Sequence, residues 1–204
     1  MTASLYLASA SPRRRDLLGQ LGVSFGLLLG RESPEEPAAV DESVLAGETP
    51  DDYVRRITRL KAEVGWQRLL HRPTLPRLPV LAADTTVGLR GDILGTPGSP
   101  DEAREMLTRL SGATHRVLTG VAVIQGDRLA LRVSETSVTF GVLEPARIAR
   151  YVDTGEPLDK AGGYGIQGPA GAFVTRLEGS YTGVVGLPLF ETAELLREFG
   201  LTVA

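Results

Sequence analysis

The chain has 204 residues, a formal charge of -3, 42% apolar content and no cysteine. The missing cysteines exclude a disulfide scaffold, thiolate metal sites and a cysteine nucleophile. The slightly acidic balance argues against a bulk electrostatic nucleic-acid binder, and no stretch reaches the roughly 18 apolar residues of a membrane span. The apolar start of the chain lacks a basic flank and breaks at Ser9-Ala10-Ser11-Pro12, so no secretory signal is expected and the cytoplasm is the expected compartment. Among the basic residues, 20 are Arg and only two, Lys61 and Lys160, are Lys.

Ser4 to Ala8 reads as a short buried strand, and Ser11-Pro12 as the cap and first residue of a helix with Leu17, Leu18 and Leu21 on one face, stopped by Gly22. Val23 to Leu29 is expected as a second strand, followed by an irregular acidic loop from Gly30 to Glu48. Thr49-Pro50-Asp51-Asp52 opens a long helix to about Leu70, carrying Val54, Ile57, Leu60 or Lys61, and Val64 at helical spacing. After a proline-rich connector, Val80 to Ala83 predicts a buried strand that ends at Asp84-Thr85-Thr86, with Val87 to Leu94 returning through Arg90-Gly91-Asp92. Ser99-Pro100-Asp101-Glu102 opens a third helix with Ala103, Met106, Leu107 and Leu110 inward. Arg116 to Ile124 and Leu129 to Val142 form a predicted hairpin across Gln125-Gly126-Asp127-Arg128, and Glu144 to Val152 a short helix. A glycine-rich stretch spans Asp159 to Gly171; Ala172 to Leu177 and Tyr181 to Val185 read as strands, and Pro188 starts the last helix. The mixture predicts an α/β protein, a central mixed twisted sheet flanked by helices, with two lobes around a cleft.

Three segments can carry chemistry. Ser9-Ala10-Ser11-Pro12-Arg13-Arg14 joins a strand to a helix N-terminus, where backbone N–H groups and two guanidinium groups suit a phosphate; the same residues also suit a solvated turn. Asp84 follows an apolar run and could hold a divalent metal or deprotonate a water, or serve as a plain turn residue. Lys160 lies within the glycine-rich stretch, where the main chain can approach a phosphate, and Gln167 offers the donor and acceptor that reading a nucleobase edge requires, or else bonds its own backbone. His71 and His115 have no ligand spacing and read as surface or loop residues.

Leu7 to Leu18, Ala83-Asp84-Thr85-Thr86-Val87 and Asp159 to Gly168 closely resemble the signature segments of Maf-like proteins, nucleoside triphosphate pyrophosphatases. Leu110 to His115 and Ser180 to Pro188 resemble further motifs, so the likeness spans nearly the whole chain. The resemblance implies a single domain over 1–204, a fold similar to inosine triphosphatases, a divalent metal (Mg2+ or Mn2+), a homodimer, and hydrolysis of a nucleoside triphosphate to monophosphate and pyrophosphate. It assigns Asp84 as proton acceptor, and Arg13, Thr85 and Gln167 as the residues that mark the branch acting on dTTP and UTP. Ser9, Ser11, Arg14, Lys61 and Lys160 fall on expected phosphate contacts. Metal ligands are expected at Asp84 and at Glu32, with Glu35 and Glu36 as other candidates in a variable loop. One departure stands out: Thr96 occupies the usual Lys position of a Leu-x-Lys-Pro segment. Two other readings remain at this level, a pyrophosphatase for a purine or modified triphosphate and a nucleotide-binding regulator of cell division with little catalysis.

Overall fold

Three helices begin with a hydroxyl cap followed by a proline. Ser11 Oγ accepts the Arg14 amide at 3.4 Å, Thr49 Oγ1 that of Asp52 at 3.2 Å, and Ser99 Oγ that of Glu102 at 3.2 Å, each with Pro at the first helical position. The helices they start are α1 (Pro12–Gln20), α2 (Pro50–Leu70) and α3 (Pro100–Leu110). The structure, a computed structural model, describes residues 3–203; Met1, Thr2 and Ala204, and with them the ends of the expected 1–204 unit, lie outside the described residues.

The strands are β1 (Leu5–Leu7), β2 (Phe25–Leu27), β3 (Val80–Leu89), β4 (Asp92–Leu94), β5 (Thr114–Gln125), β6 (Arg128–Phe140) and β7 (Val174–Glu178). They form one mixed sheet in the order β2-β1-β3-β5-β6-β7, with β4 paired to β3. β1 runs parallel to β2 and β3, and every other pairing is antiparallel. Helices α4 (Pro145–Val152), α5 (Tyr181–Val185) and α6 (Leu189–Glu198) complete the chain, with short 3-10 turns at Glu156–Asp159, Ala161–Gly163 and Pro169–Phe173.

Two expectations are corrected. Asp84 does not end its strand: β3 continues through it to Leu89, because β5 pairs β3 residue by residue from Val80 to Gly88. Tyr181–Val185 is a helix, not a strand, because Ser180 Oγ accepts the Gly183 amide at 3.0 Å and caps the turn against the β-propensity of the residues that follow.

Side-chain alternation along β3 explains the layering. Val80 and Ala82 join Ala62, Trp66 and Leu69 of α2 on one face. On the opposite face Leu81 and Ala83 pack with Leu17, Leu18, Val185 and Leu195, whereas Val87 and Leu89 pack with Ala103, Leu107, Phe140 and Tyr164. Each fully buried leucine in these clusters stabilises the fold by roughly 1.5 to 3 kcal/mol relative to exposure. Thr85 and its ladder partner Thr119 lie between the last two clusters. They form a polar row where two apolar halves meet.

α2 approaches the sheet closely because the residues between them are small. A side chain at Gly65 would come within 2.9 Å of the Ala8 Cβ, and one at Gly120 would overlap the Thr58 hydroxyl. The buried seam of α2 therefore runs through Thr58, Ala62 and Gly65, not through the expected Leu60 and Val64.

Candidate active site

β1 pairs β3 only at Val80 and Leu81, and β4 pairs it only from Val87 to Leu89. Between these contacts one edge of β3 has no strand partner among the described residues, and a cleft of about 770 Å³ opens there. Because the edge is open, the cleft is lined from both faces of the sheet, by Asp84 on the α2 side and Thr85 on the other. The Ala8 amide donates to the Leu81 carbonyl, so by alternation the backbone groups of Ala83 and Thr85 point at the same open edge.

On the α2 side, Lys61 Nζ donates to Asp84 Oδ1 at 2.6 Å and lies 2.9 Å from Glu42 Oε1. Asp84 is 5% exposed. Gly120, opposite Asp84 in the ladder, admits Thr58 and so brings α2 near enough for Lys61, three residues later, to reach the carboxylate. Tyr53 donates from its hydroxyl to the Glu42 carbonyl at 3.0 Å. Burial, with the charges of Asp84 and Glu42, pushes the Tyr53 phenol up to about 12, so it stays a neutral donor.

On the other side, Arg14 donates from Nε to the Gly186 carbonyl at 2.9 Å, from Nη1 to Ser9 Oγ at 3.4 Å, and from Nη2 to Thr85 Oγ1 at 3.3 Å. Three of its five N–H groups are thereby used; the two that remain, one on each terminal nitrogen, suit bidentate contact with a phosphate. Burial holds the Arg14 pKa below its ordinary value, against the raising influence of Asp84. Thr119 spends its proton on the Gly183 carbonyl at 2.7 Å, so Thr85, 3.0 Å away, donates to Thr119 and accepts from Arg14. The Thr85 hydroxyl hydrogen is thus committed inside the protein, and what it does in this arrangement is orient Arg14.

The far wall comes from the glycine-rich stretch, anchored by the Gly162 amide on the Gly95 carbonyl at 2.9 Å. Lys160 Nζ donates to the Glu156 carbonyl at 2.7 Å and to Asp159 Oδ1 at 2.6 Å. Arg13 Nη1 lies 4.0 Å from Asp159 Oδ2, linking α1 to this wall. Burial pushes Asp159 up, but its hydrogen bond and charge pairing with Lys160, helped by Arg13, hold it below the ordinary carboxylate range. Gln167 is exposed on the wall, and its amide makes no hydrogen bond among the described residues. Thr96 lines the same cleft.

The structure therefore brings together Ser11, Arg13, Arg14, Lys61, Asp84, Thr85, Lys160 and Gln167, with Ser9 in contact through Arg14. It does not bring Glu32 there. Glu32 is paired with Arg72 Nη1 at 2.7 Å, and Glu36 with Arg72 Nε at 2.9 Å, away from the cleft residues. That contact is the physical reason the expected metal ligand is displaced: Arg72 also donates to the carbonyls of Leu29 and Gly30 and holds this part of the loop against the turn that follows α2. The acid the loop delivers is Glu42, which sequence reasoning missed.

His115 was expected at the surface and is instead 1% exposed, its Nε2 2.7 Å from the hydroxyl of Tyr164, a cleft residue. Its ring packs edge-on against Phe140 and Tyr164. Burial drops its pKa to about 4, so the imidazole is neutral at pH 7.

Asp84 and Glu42 converge on one cationic nitrogen, and such a pair of carboxylates also fits a hard divalent ion. No group of three His, Asp or Glu side chains forms among the described residues, so oxygens of a substrate or of water would complete the shell.

A relative from Nitrosomonas europaea, named dTTP/UTP pyrophosphatase, is 54% identical over 98% of this chain and 96% of its own. Relatives of the same name from Cupriavidus pinatubonensis and Cupriavidus metallidurans are 57% and 56% identical, over 95% and 98% of this chain and 96% and 99% of theirs. Among solved structures, the Staphylococcus aureus Ham1 protein aligns at a TM-score of 0.44 and 15% identity, over 67% of this chain and 71% of its own. The family profile described as Maf-like protein matches residues 4–199. The chain belongs to that family.

Proposed function

We propose that the chain is a nucleoside triphosphate pyrophosphatase that hydrolyses dTTP and UTP to the monophosphate and pyrophosphate. The observation that carries this reading is the buried Asp84 carboxylate facing a cleft beside two cations, Arg14 and Lys61, that keep unused donors. The names of relatives more than half identical over nearly the full chain point to the same substrates.

A nucleoside triphosphate brings about four negative charges, and attack at its α-phosphorus requires them to be screened. Arg14 offers its two free N–H groups to the phosphates, with Lys61, Lys160, Arg13 and the α1 N-terminus at Ser11 around them. Asp84 accepts the proton of the attacking water; the water oxygen bonds to the α-phosphorus, the bond to the bridging oxygen breaks, and pyrophosphate departs. Asp84 and Glu42 would hold a divalent cation, which supplies charge neutralisation to the phosphates. Gln167, with an uncommitted amide, reads the base, and Arg13 lines the same cleft. Thr85 acts through Arg14.

The same reading takes the chain as one domain, because a single sheet passes through both apolar halves. It places the enzyme in the cytoplasm, where its nucleotides are; no helix among the described residues is long and apolar enough to cross a membrane. A homodimer is carried by the family likeness, and sedimentation equilibrium tests it.

The deciding experiment is a panel of dTTP, UTP, CTP, dGTP, inosine triphosphate and 7-methylguanosine triphosphate, assayed with Mg2+ or Mn2+ for pyrophosphate release. Highest kcat/KM for dTTP and UTP is expected. Preference for a purine would reassign the substrate, and binding without pyrophosphate release would remove the enzymatic reading.

A further inference from the structure

Lys61 bridges the two cleft carboxylates, with its ammonium 2.6 Å from Asp84 Oδ1 and 2.9 Å from Glu42 Oε1. We propose that Lys61 is an internal counter-ion that excludes the divalent metal from the nucleotide-free enzyme, so that metal and nucleotide enter together. The identity of the nucleotide rests on the pyrophosphatase reading; the exclusion of metal rests on the ion triad alone.

Two negative carboxylates and one ammonium leave the free triad with a single negative charge. A divalent ion at the same two oxygens would lie in contact distance of the ammonium, and like charges that close repel strongly in a partly buried site. The Lys61 side chain is 23% exposed and Asp84 is nearly covered, so water screens the pair only in part. A metal that displaced Lys61 would leave the ammonium without its two anionic partners in a partly buried site. A triphosphate changes that balance. Its oxygens offer the ammonium an alternative partner within the same cleft, and the four-carbon stem lets the charge swing from carboxylate to phosphate. Lys61 also has a reason to be Lys: the slender ammonium can retreat, whereas a guanidinium would keep a planar fork between the two acids. The coupling is reciprocal, so bound nucleotide raises metal affinity and bound metal raises nucleotide affinity by the same factor.

The probe is Mn2+ alone, titrated by electron paramagnetic resonance into the nucleotide-free protein. Wild type and Lys61→Arg are expected to bind weakly. Lys61→Gln, which keeps amide donors but loses the charge, is expected to bind about tenfold more tightly or better. Adding Asp84→Asn to Lys61→Gln should abolish the gain. An unchanged affinity in Lys61→Gln, a gain that survives loss of Asp84, or micromolar binding by the nucleotide-free wild type would each overturn the proposal.

Because the chain has two lysines, wild type labelled with 13C at lysine Cε gives a second test that depends on no variant folding. Millimolar Mg2+ alone should leave the Lys61 signal in place, and Mg2+ with a non-hydrolysable dTTP analogue should move it; movement by Mg2+ alone overturns the proposal. Turnover of dTTP by the same preparation separates the two readings. Metal exclusion without turnover keeps this proposal and sinks the pyrophosphatase assignment.

Discussion

Gly120 and Thr58 meet so closely that a side chain at residue 120 would overlap the Thr58 hydroxyl and press on its Cβ at 3.0 Å. Gly120 is the ladder partner of Asp84, and Lys61 stands three residues beyond Thr58 on α2. Gly120→Ala is therefore expected to push α2 outward, costing about 1 to 3 kcal/mol and lengthening the Lys61–Asp84 contact, with a fall in kcat/KM. The Thr58 hydroxyl is buried without a hydrogen-bond partner among the described residues, so Thr58→Ala should cost little alone and recover part of both losses in the double variant. Denaturant melts and kinetics on the four proteins of the cycle check this; strict additivity would show that the two residues do not press on each other.

Asp84→Asn keeps the shape of the side chain and removes its ability to take a proton. The fold should survive, and dTTP turnover should drop by about 10² to 10⁴. Pyrophosphate release at the wild-type rate would take Asp84 out of the chemistry.

Lys160 packs its stem against Gly165, where a Cβ would come within 2.7 Å of Cε, and its side chain is 12% exposed. The planar fork of Arg presents its donors differently from the compact ammonium in that slot. Lys160→Arg should lower turnover by about tenfold while changing stability by less than about 1 kcal/mol. An unchanged rate would attribute the scarcity of Lys in this chain to composition alone.

His115 links stability to pH. Its pKa falls from an ordinary 6.5 to about 4 in the folded protein, so the unfolded chain binds the extra proton first. Stability from this residue is complete above about pH 6.5 and is lost as the pH falls towards 4, by roughly 3 kcal/mol at most. His115→Phe should flatten the fall in melting temperature between pH 6.5 and 4. The buried Arg72–Glu36 pair adds a separate loss at lower pH, because Arg72 holds the Glu36 carboxyl down at about 2. If wild type and variant melt in parallel across that range, His115 is not the linked group.

What the sequence disclosed was whatever a few neighbouring residues decide. Ser11, Thr49 and Ser99 cap their helices through bonds three residues long, and all three were readable. So was the hairpin turn at Gly126, where φ is +60°. The extent of β3 was not, because its continuation past Asp84 depends on β5. Glu42 was invisible for a similar reason. An acidic loop offers several carboxylates, and only the grip of Arg72 on Glu32 and Glu36, with Tyr53 on the Glu42 carbonyl, decides which one arrives beside Lys61. His115 lacks any local pattern; its burial follows from pairing with Val138 in the sheet and from Tyr164, 49 residues away.

The three-residue length of β1 has a consequence of its own. Ser9-Ala10-Ser11-Pro12 turns the chain away from the sheet after Leu7, and the same turn starts α1. The aperture of the cleft is thus set by where a helix begins, and a chain that stayed extended for four more residues would close it with ordinary strand hydrogen bonds. Weakening the Ser11 cap would then alter how wide the enzyme stands open, not merely how stable one helix is.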